Sequence, residues 1–271
     1  MPMASTAVRV AARRGSAVGA VGEVLRDIAR GGMAGAVVGI LVAGLGGRIV
    51  MRLAAIIVPS ATGRFTENGN QIGDITLSGS LGLILFGGLF FGLAGGTVWV
   101  VVSPWIPGAG FRRAVLAMPV AVALTGMSLI QGDNPDFRIL QHDRLVVAML
   151  LALVALTGMS IALFDGWLDR RLPQAGAGSK AATALYLAVA LAGGLLILPL
   201  VIGGYFEADA RLGLALIGVG LATLAWWALR SQGRARQPST LVIAGRAALL
   251  AAVVLGVLEL APEVAAALGT T

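Results

Sequence analysis

Long apolar runs, rather than amphipathic stripes, dominate the chain. Twenty uncharged residues separate Arg144 from Asp165, and eighteen separate Arg211 from Arg230. A helix rises about 1.5 Å per residue and the hydrocarbon core of a bilayer is about 30 Å thick, so each run is long enough to cross it. The pattern predicts an all-α, polytopic membrane protein with seven transmembrane helices, at 33–58, 80–102, 114–130, 145–164, 181–203, 212–229 and 240–260.

The first 31 residues are predicted to form a cytoplasmic segment. Its apolar positions share one helical face: Val18, Val21, Leu25 and Ile28. Arg26, Asp27 and Arg30 lie largely on the opposite face, a pattern typical of an amphipathic helix on the surface of the inner leaflet. Residues 32–261 are then a single seven-helix domain, and residues 262–271 a short outer tail.

The basic residues predict the orientation. With the N-terminus inside, thirteen of the 20 Lys and Arg residues fall in inner segments and three within spans, and four fall in outer loops: Arg64, Arg138, Arg144 and Arg211. Positive charge accumulates in cytoplasmic loops, so the N-terminus is predicted to be cytoplasmic and the C-terminus outside. All five Trp residues map to inner span ends, as interfacial anchors would. The composition, rich in Ala, Gly and Arg, favours a bacterial inner membrane.

Small residues recur every fourth position on the first two spans, as in a glycine zipper. The first span carries Gly31, Gly35, Gly39, Ala43 and Gly47, and the second carries Gly88, Gly92 and Gly96. Small faces let helix backbones approach closely in lipid, where apolar contact alone gives little gain. We therefore predict that the two spans pack tightly; a glycine-lined pore is the functional alternative.

The sequence VALTGMS occurs twice, at 122–128 on the third span and at 154–160 on the fourth. It places Thr125 and Ser128, and again Thr157 and Ser160, on one helical face beside a glycine. Three interpretations are open: close helix packing with the hydroxyls bonded to backbone, an inverted duplication, or a polar site at the middle of the membrane. Packing is preferred, because the similarity fades outside the seven residues.

Composition removes several kinds of chemistry. Apolar residues make up 58% of the chain and charged residues only 12%, which supports a membrane protein. There is no Cys and only one His, His142, so thiolate sites and paired haem ligands are excluded. The net charge of +7 is assigned to topology rather than to nucleic acid. No catalytic motif, metal site or cofactor is predicted, and acids such as Asp165 and Glu259 are expected to meet water at span ends.

Two arginines are the most informative positions. Arg48 and Arg52 are one turn apart, and Arg48 lies about 22 Å along the first span by the helical rise, in its outer third. Ionisable groups at this depth usually mark an ion pair or a functional site. The preferred interpretation is structural ion pairs with acids of two outer loops, of which the first is hairpin-like; the alternative is an anion or substrate pocket. The acids expected to join this cluster are Glu67, Asp74, Asp133 and Asp136.

These features leave two functions from different classes. The first is a non-catalytic membrane scaffold, sensor or complex subunit. The second is a protein that binds or transports a small solute or ion through an outer vestibule at Arg48 and Arg52. A membrane enzyme ranks third, because no nucleophile–base pair stands out. The lipid bilayer is the one partner predicted; a protein partner and a solute both stay open.

Overall fold

The computed structural model describes residues 3–67, 69, 71–73, 77–173, 180–199, 210–232 and 237–270. These residues form helices and no strands. The α-helices are α1 Met3–Val38, α2 Leu45–Ile57, α3 Leu77–Gly82, α4 Phe91–Val102, α5 Gly110–Thr125, α6 Pro135–Ile139, α7 Arg144–Arg171, α8 Lys180–Pro199, α9 Ala210–Ser231 and α10 Ser239–Ala267. α1 packs against α4, α7, α8 and α9, while α10 packs against α5 and α9.

Six helices of the described chain are long and apolar enough to cross a membrane. They are Val21–Ile57, Gly79–Trp105, Gly110–Ser128, Arg144–Arg171, Ala210–Ser231 and Ser239–Ala267. The predicted fifth span, 181–203, coincides with α8, whose apolar part Lys180–Leu195 is shorter. The second half of that span falls partly outside the described residues. An all-helical fold is therefore confirmed, whereas the count of seven spans stays a prediction.

The first helix continues through the boundary predicted at residue 31. α1 runs without a break from Met3 to Val38, and Val21 is exposed whereas Asp27 is buried. The predicted orientation of this face was wrong: the helix turns charged residues toward the bundle because α7 and α9 carry charges that pair with them. The assignment of residues 1–31 to a separate segment stays a prediction.

Two π-helical segments interrupt the first two long helices. Gly39–Gly44 joins α1 to α2, and Leu83–Phe90 joins α3 to α4. The two segments pack against each other. π-helical turns are rare and frequently lie at functional sites. The first of them, Gly39–Gly44, separates the charged end of α1 from the two arginines of α2.

The glycine faces of these two helices meet backbone to backbone. A Cβ added at Gly39 would clash with the carbonyl oxygen of Gly88 and lie 2.7 Å from the Cα of Gly92. A Cβ added at Gly35 would lie 2.6 Å from the Cα of Gly96. Gly47 differs, because it faces the side chain of Leu83. The close approach predicted from the four-residue spacing is therefore present between α1 and α4, and it leaves no room for side chains.

The two copies of VALTGMS occupy different surroundings. Gly126 lies in a 3₁₀ turn against the side chain of Leu260, whereas Gly158 lies within α7 against Ala117 and Ala121 of α5. The hydroxyls are bonded locally: Thr125 and Thr157 each donate to the carbonyl one turn back, at 2.8 Å, and Ser128 donates to Thr125 O at 2.7 Å. Ser160 is half-buried on α7. These contacts favour the packing interpretation of the repeat.

The predicted outer hairpin is reduced to one bridge. Phe65 and Gln71 form an isolated antiparallel bridge, and Ile72 N donates to Arg64 O at 2.8 Å. No strand occurs in the described part of this loop, and Asn68, expected at its turn, lies outside the described residues. The loop is held instead by Ile72, which is buried with Ala54 and Ala55 of α2.

Two of the five tryptophans are core residues rather than interfacial anchors. Trp105 is 2% exposed and lies against Gly245, and its Nε1–H donates to Thr223 Oγ1 at 2.9 Å. Trp99 is also buried. The predicted aromatic belt was wrong for these two positions, because Gly245 and Thr223 offer a contact surface and a hydrogen-bond acceptor inside the bundle.

Candidate functional site

A charge network joins α1, α7 and α9 at one end of the bundle. Arg30 Nε lies 2.6 Å from Asp165 Oδ1, and Arg30 Nη1 contacts Asp169 as well. Asp27, on the same helix, lies 3.4 Å from Arg30 Nη1. Asp165 is only 4% exposed, so the prediction that water reaches it was wrong. The hydrogen-bonded pairing of Asp165 with Arg30 is what permits the buried carboxylate inside an apolar bundle.

Arg26 and Arg230 extend the α1–α7–α9 charge network on either side. Arg26 pairs with Asp169 at 2.9 Å. It also donates to three carbonyls at the C-terminal end of α7, those of Asp169, Leu172 and Pro173. Those carbonyls lack partners within a helix, so a guanidinium that collects them fixes where α7 ends. Arg230 of α9 lies 3.3 Å from Asp27 and 3.4 Å from Glu23.

Sequence reasoning missed this network although a signal was present. Asp165 and Asp169 are one turn apart on α7, and Asp27 and Arg30 are three residues apart on α1, so each helix presents its charges on a single face. Matching the acidic face of α7 to the basic face of α1 would have indicated the contact.

The α2 arginine pair, Arg48 and Arg52, lies near the other end of the same long helix. Arg48 is 8% exposed. Its Nε and Nη2 are buried and have no hydrogen-bond partner among the residues that the structure describes. Arg52 is exposed, and its Nη1 donates to the carbonyl of Gly73 in the first loop. The two side chains therefore differ: Arg52 is attached to the loop, and Arg48 is buried with two N–H-bearing nitrogens that have no hydrogen-bond partner among the described residues.

The face of α2 that carries Arg48 is covered on both sides. Gly44, one turn earlier, lies against Ile84 of the π-helical segment of the second long helix. Ala55, two turns later, lies against Gly73, where an added Cβ would come within 3.0 Å of the Ala55 Cβ. Gly73 adopts a φ of +89°, which an L side chain rarely adopts, so glycine is required for this approach of the loop. Along α2, Arg48 thus lies between the contact of Gly44 with Ile84 and the contact of Ala55 with the Gly73 loop.

The predicted ion pairs with the outer acids are not present in the described chain. Asp136 Oδ1 accepts a hydrogen bond from Glu67 N at 2.8 Å. Asp133 is exposed, and neither it nor Glu67 or Asp136 pairs with Arg48 or Arg52. Asp74 lies outside the described residues. The physical reason is that loops leave backbone N–H groups to satisfy, and the carboxylate of Asp136 serves one of them.

Other acids at this end are used in the same way. Asp143 caps α7 by accepting from Leu145 N at 2.8 Å and Val146 N at 3.1 Å, and Glu263 accepts from Gly132 N at 2.6 Å. Asp136, Asp143 and Glu263 therefore serve as a helix cap and as loop ties rather than as counter-ions for Arg48 and Arg52.

The described residues hold no group of three or more His, Cys, Asp or Glu side chains close enough to bind a metal ion. His142 Nδ1 lies 2.9 Å from the carbonyl oxygen of Ala267 and ties the second loop to the end of α10. The chemistry that remains at this end is therefore the positive charge of Arg48, whose Nε and Nη2 have no hydrogen-bond partner within the described chain.

Comparison with protein-family models, with curated proteins and with solved structures gives no match to this chain.

Proposed function

We propose that the chain is a multi-pass membrane protein that binds a small anion at Arg48 from its outer side. This is the solute-binding interpretation of the arginine pair, and the observation that carries it is that Nε and Nη2 of the buried Arg48 guanidinium have no hydrogen-bond partner among the described residues. A cation at the centre of a span costs about 2.5–3.5 kcal/mol on insertion scales and less toward the ends of the span. A cation within a span is therefore usually retained for a partner or a function.

The use of the outer acids supports the proposal. A structural ion pair needs a carboxylate within about 4 Å, and Asp136 and Glu263 are engaged with backbone N–H groups. Arg52, one turn above, adds a second positive charge. An anion arriving from outside would neutralise this charge without displacing an existing ion pair of the described residues.

The two π-helical segments are consistent with a functional site. Gly39–Gly44 directly precedes α2, the helix that carries Arg48. Leu83–Phe90 packs against Gly39–Gly44 and contains Ile84, which contacts Gly44, one turn before Arg48. A solute pathway needs helices that can adjust locally, and π-helical turns supply such places. Transport of the bound anion, rather than binding alone, is part of the proposal.

Seven spans, a cytoplasmic N-terminus, an outer C-terminus and a bacterial inner membrane complete the proposal. Contacts sort the described segments into two groups that fit this topology. Glu23–Arg30, the end of α7 and Arg230 meet at one end. Residues 60–67, 132–142 and the end of α10 meet at the other, through Gln141–Ser60 and Gly132–Glu263. A glycine zipper between α1 and α4 would fix the first two spans within this bundle.

A test uses anions as probes. Purified protein in a neutral detergent is heated in chloride, acetate or phosphate at constant ionic strength. A ligand that binds only the folded state raises the unfolding temperature as its concentration rises. At least one anion should stabilise the native chain and leave Arg48→Gln unaffected. Arg246→Gln, an exposed arginine of α10, is the matched control; equal shifts in all three proteins would refute the site.

The side of access is tested by labelling. The chain has no Cys, so Arg52→Cys introduces a single thiol next to the site. A membrane-impermeant maleimide added to intact cells should label it, and the stabilising anion should slow the labelling. Labelling only after the cells are opened would show that the site faces inward.

A second function is favoured by the α1–α7–α9 charge network. Its pairs join three helices through Arg30, Arg26 and Arg230, an arrangement that stabilises the bundle without presenting a reactive group. A non-catalytic scaffold, sensor or complex subunit would need this rigidity. If no anion raises the unfolding temperature of the native chain in the test above, while the charge network is intact, this function is favoured over solute binding.

A further inference from the structure

We infer that the anion taken at Arg48 is an oxyanion with two coplanar oxygens, a carboxylate or a phosphate group, bound side-on through Nε and Nη2. This inference rests on the proposed anion site and names its ligand class. The unpaired atoms of Arg48 are Nε and Nη2, and these two nitrogens lie on the same edge of the planar guanidinium. They point two N–H bonds in parallel, in the fork geometry that matches carboxylate and phosphate.

The edge of the Arg48 guanidinium formed by Nε and Nη2 should distinguish between classes of anion. A spherical halide has a single centre and meets the fork at one point, whereas a carboxylate or phosphate offers one oxygen to each N–H. A buried donor left without an acceptor loses the free energy of its hydrogen bonds to water. Because both donors of the edge are buried, a ligand that satisfies both is favoured over one that satisfies the charge alone.

The surroundings allow the group to come from a small solute or from a lipid headgroup. Arg52, one turn toward the loop, keeps its position through Gly73 O and adds positive charge above the fork. Leu45 and Ile49, on the neighbouring face of α2, are 42% and 61% exposed, as lipid-facing residues would be. A phospholipid phosphate is therefore a source of the same chemistry, beside free carboxylate or phosphate.

Arg48→Lys is the decisive variant, because it keeps the charge and removes the fork. Affinities for bromide, acetate and inorganic phosphate are measured from unfolding temperatures of delipidated protein in detergent. The native chain should prefer acetate or phosphate to bromide. Arg48→Lys should weaken the preferred oxyanion by about tenfold or more, and bromide by less than about threefold. Arg246→Lys, at an exposed arginine of α10 away from the site, is the control and should change both affinities by less than about threefold.

A measurement of bound lipid distinguishes a phospholipid headgroup from a free solute as the ligand. Native mass spectrometry of protein extracted from vesicles of phosphatidylcholine and phosphatidylglycerol should show phospholipid retained by the native chain and lost in Arg48→Lys if the ligand is a headgroup. An oxyanion shift in delipidated protein without retained lipid identifies a free solute.

The outcomes distinguish the inference from the proposed function. If bromide stabilises as well as acetate and phosphate, and Arg48→Lys keeps every response, the site is a point charge: anion binding stands and the side-on oxyanion is wrong. If no anion shifts the native chain and no lipid is retained, both are wrong. If Arg52→Lys rather than Arg48→Lys removes the oxyanion response, the ligand is assigned to the wrong arginine.

Discussion

The α1–α7–α9 charge network and the α2 arginine pair show two ways of placing arginine in an apolar bundle. Arg30 is half-buried and meets three carboxylates, those of Asp27, Asp165 and Asp169. Arg48 is buried and meets no carboxylate of the described residues. The two regions lie about 27 Å apart along one helix by the helical rise of 18 residues, 48 minus 30. The residue type is the same and both side chains are largely withdrawn from solvent, so the difference lies in the partners.

The comparison teaches that an acidic surface does not guarantee counter-ions. At the loop end, acids cap helices and satisfy loop N–H groups, as Asp143 and Glu263 do. At the other end, Asp165 and Asp169 lie in the last two turns of α7, where the backbone N–H groups are already bonded within the helix and the carboxylates are free to pair with arginines. A carboxylate beside unsatisfied loop N–H groups binds the backbone, and one with no such N–H group nearby is left for side chains.

The largest expected effect is at the network. Arg30→Ala leaves Asp165 buried without its partner, which costs about 3–5 kcal/mol for a buried pair. Arg170→Ala, the control at an exposed arginine of the same end, should change stability by less than about 0.5 kcal/mol. Thermal unfolding in detergent measures both. Equal stabilities for the two variants would remove the contrast between the regions, because the network would then contribute nothing.

The contact that joins the two regions should be the next most sensitive. Gly92→Ala brings a Cβ within 2.8 Å of Gly39 Cα, and overpacking of this kind costs about 1–3 kcal/mol. Gly95→Ala is matched on the same helix, since its Cβ would meet nothing nearer than Ile161 Cδ1 at 4.0 Å. Chemical unfolding should therefore separate the two alanine variants. A destabilised Gly95→Ala with a native-like Gly92→Ala would mean that α4 meets α1 through another face.

Arg48→Met should not lower the stability of the protein, in contrast to Arg30→Ala. Removing a buried charge that lacks a counter-ion, and filling its volume with an apolar chain, should leave stability unchanged or raise it by about 1 kcal/mol in buffer low in anions. Asp74→Asn is run beside it, because this acid follows Gly73 directly. A loss in both variants as large as that of Arg30→Ala would show that Arg48 and Asp74 form a structural ion pair.

The smallest effect is expected at Arg52. Its guanidinium is exposed and donates to Gly73 O, so Arg52→Ala should cost less than about 1 kcal/mol. Arg64→Ala, at another exposed arginine of the same end, is the control and should change the free energy of unfolding by about zero. Proteolysis of the first loop should report the change more sensitively than global unfolding. A cost above that of Gly92→Ala would place the main anchor of the loop at Arg52.

The helices and their closest contact were predictable, because both depend on local pattern. Apolar runs predicted helices of membrane-crossing length, and the four-residue spacing of Gly35 and Gly39 predicted the approach to α4. What α1 does before residue 31 was not predictable from its own amphipathic pattern. Its charged face is buried by partners on α7 and α9, more than 130 residues away along the chain.

The candidate site was predictable in part. The depth of Arg48 and Arg52 identified them, but the carboxylates assigned to them were chosen by net charge. The net charge of a loop does not predict which group each of its side chains will contact. Asp136 accepts a hydrogen bond from Glu67 N instead of pairing with an arginine. Trp105 shows the same limit: its place at a span end suggested an interfacial anchor, while the space over Gly245 admitted it to the core.

The most direct test is an experimental map of the Arg48 guanidinium, from electron cryomicroscopy of the protein in a lipid nanodisc with phosphate or acetate present. The account predicts non-protein density within about 3.2 Å of both Nε and Nη2, no carboxylate oxygen of the protein within about 4 Å of Arg48, and Arg30 paired with Asp165 in the same map. A carboxylate of Glu67, Asp74, Asp133 or Asp136 seated on that edge of Arg48 would contradict it.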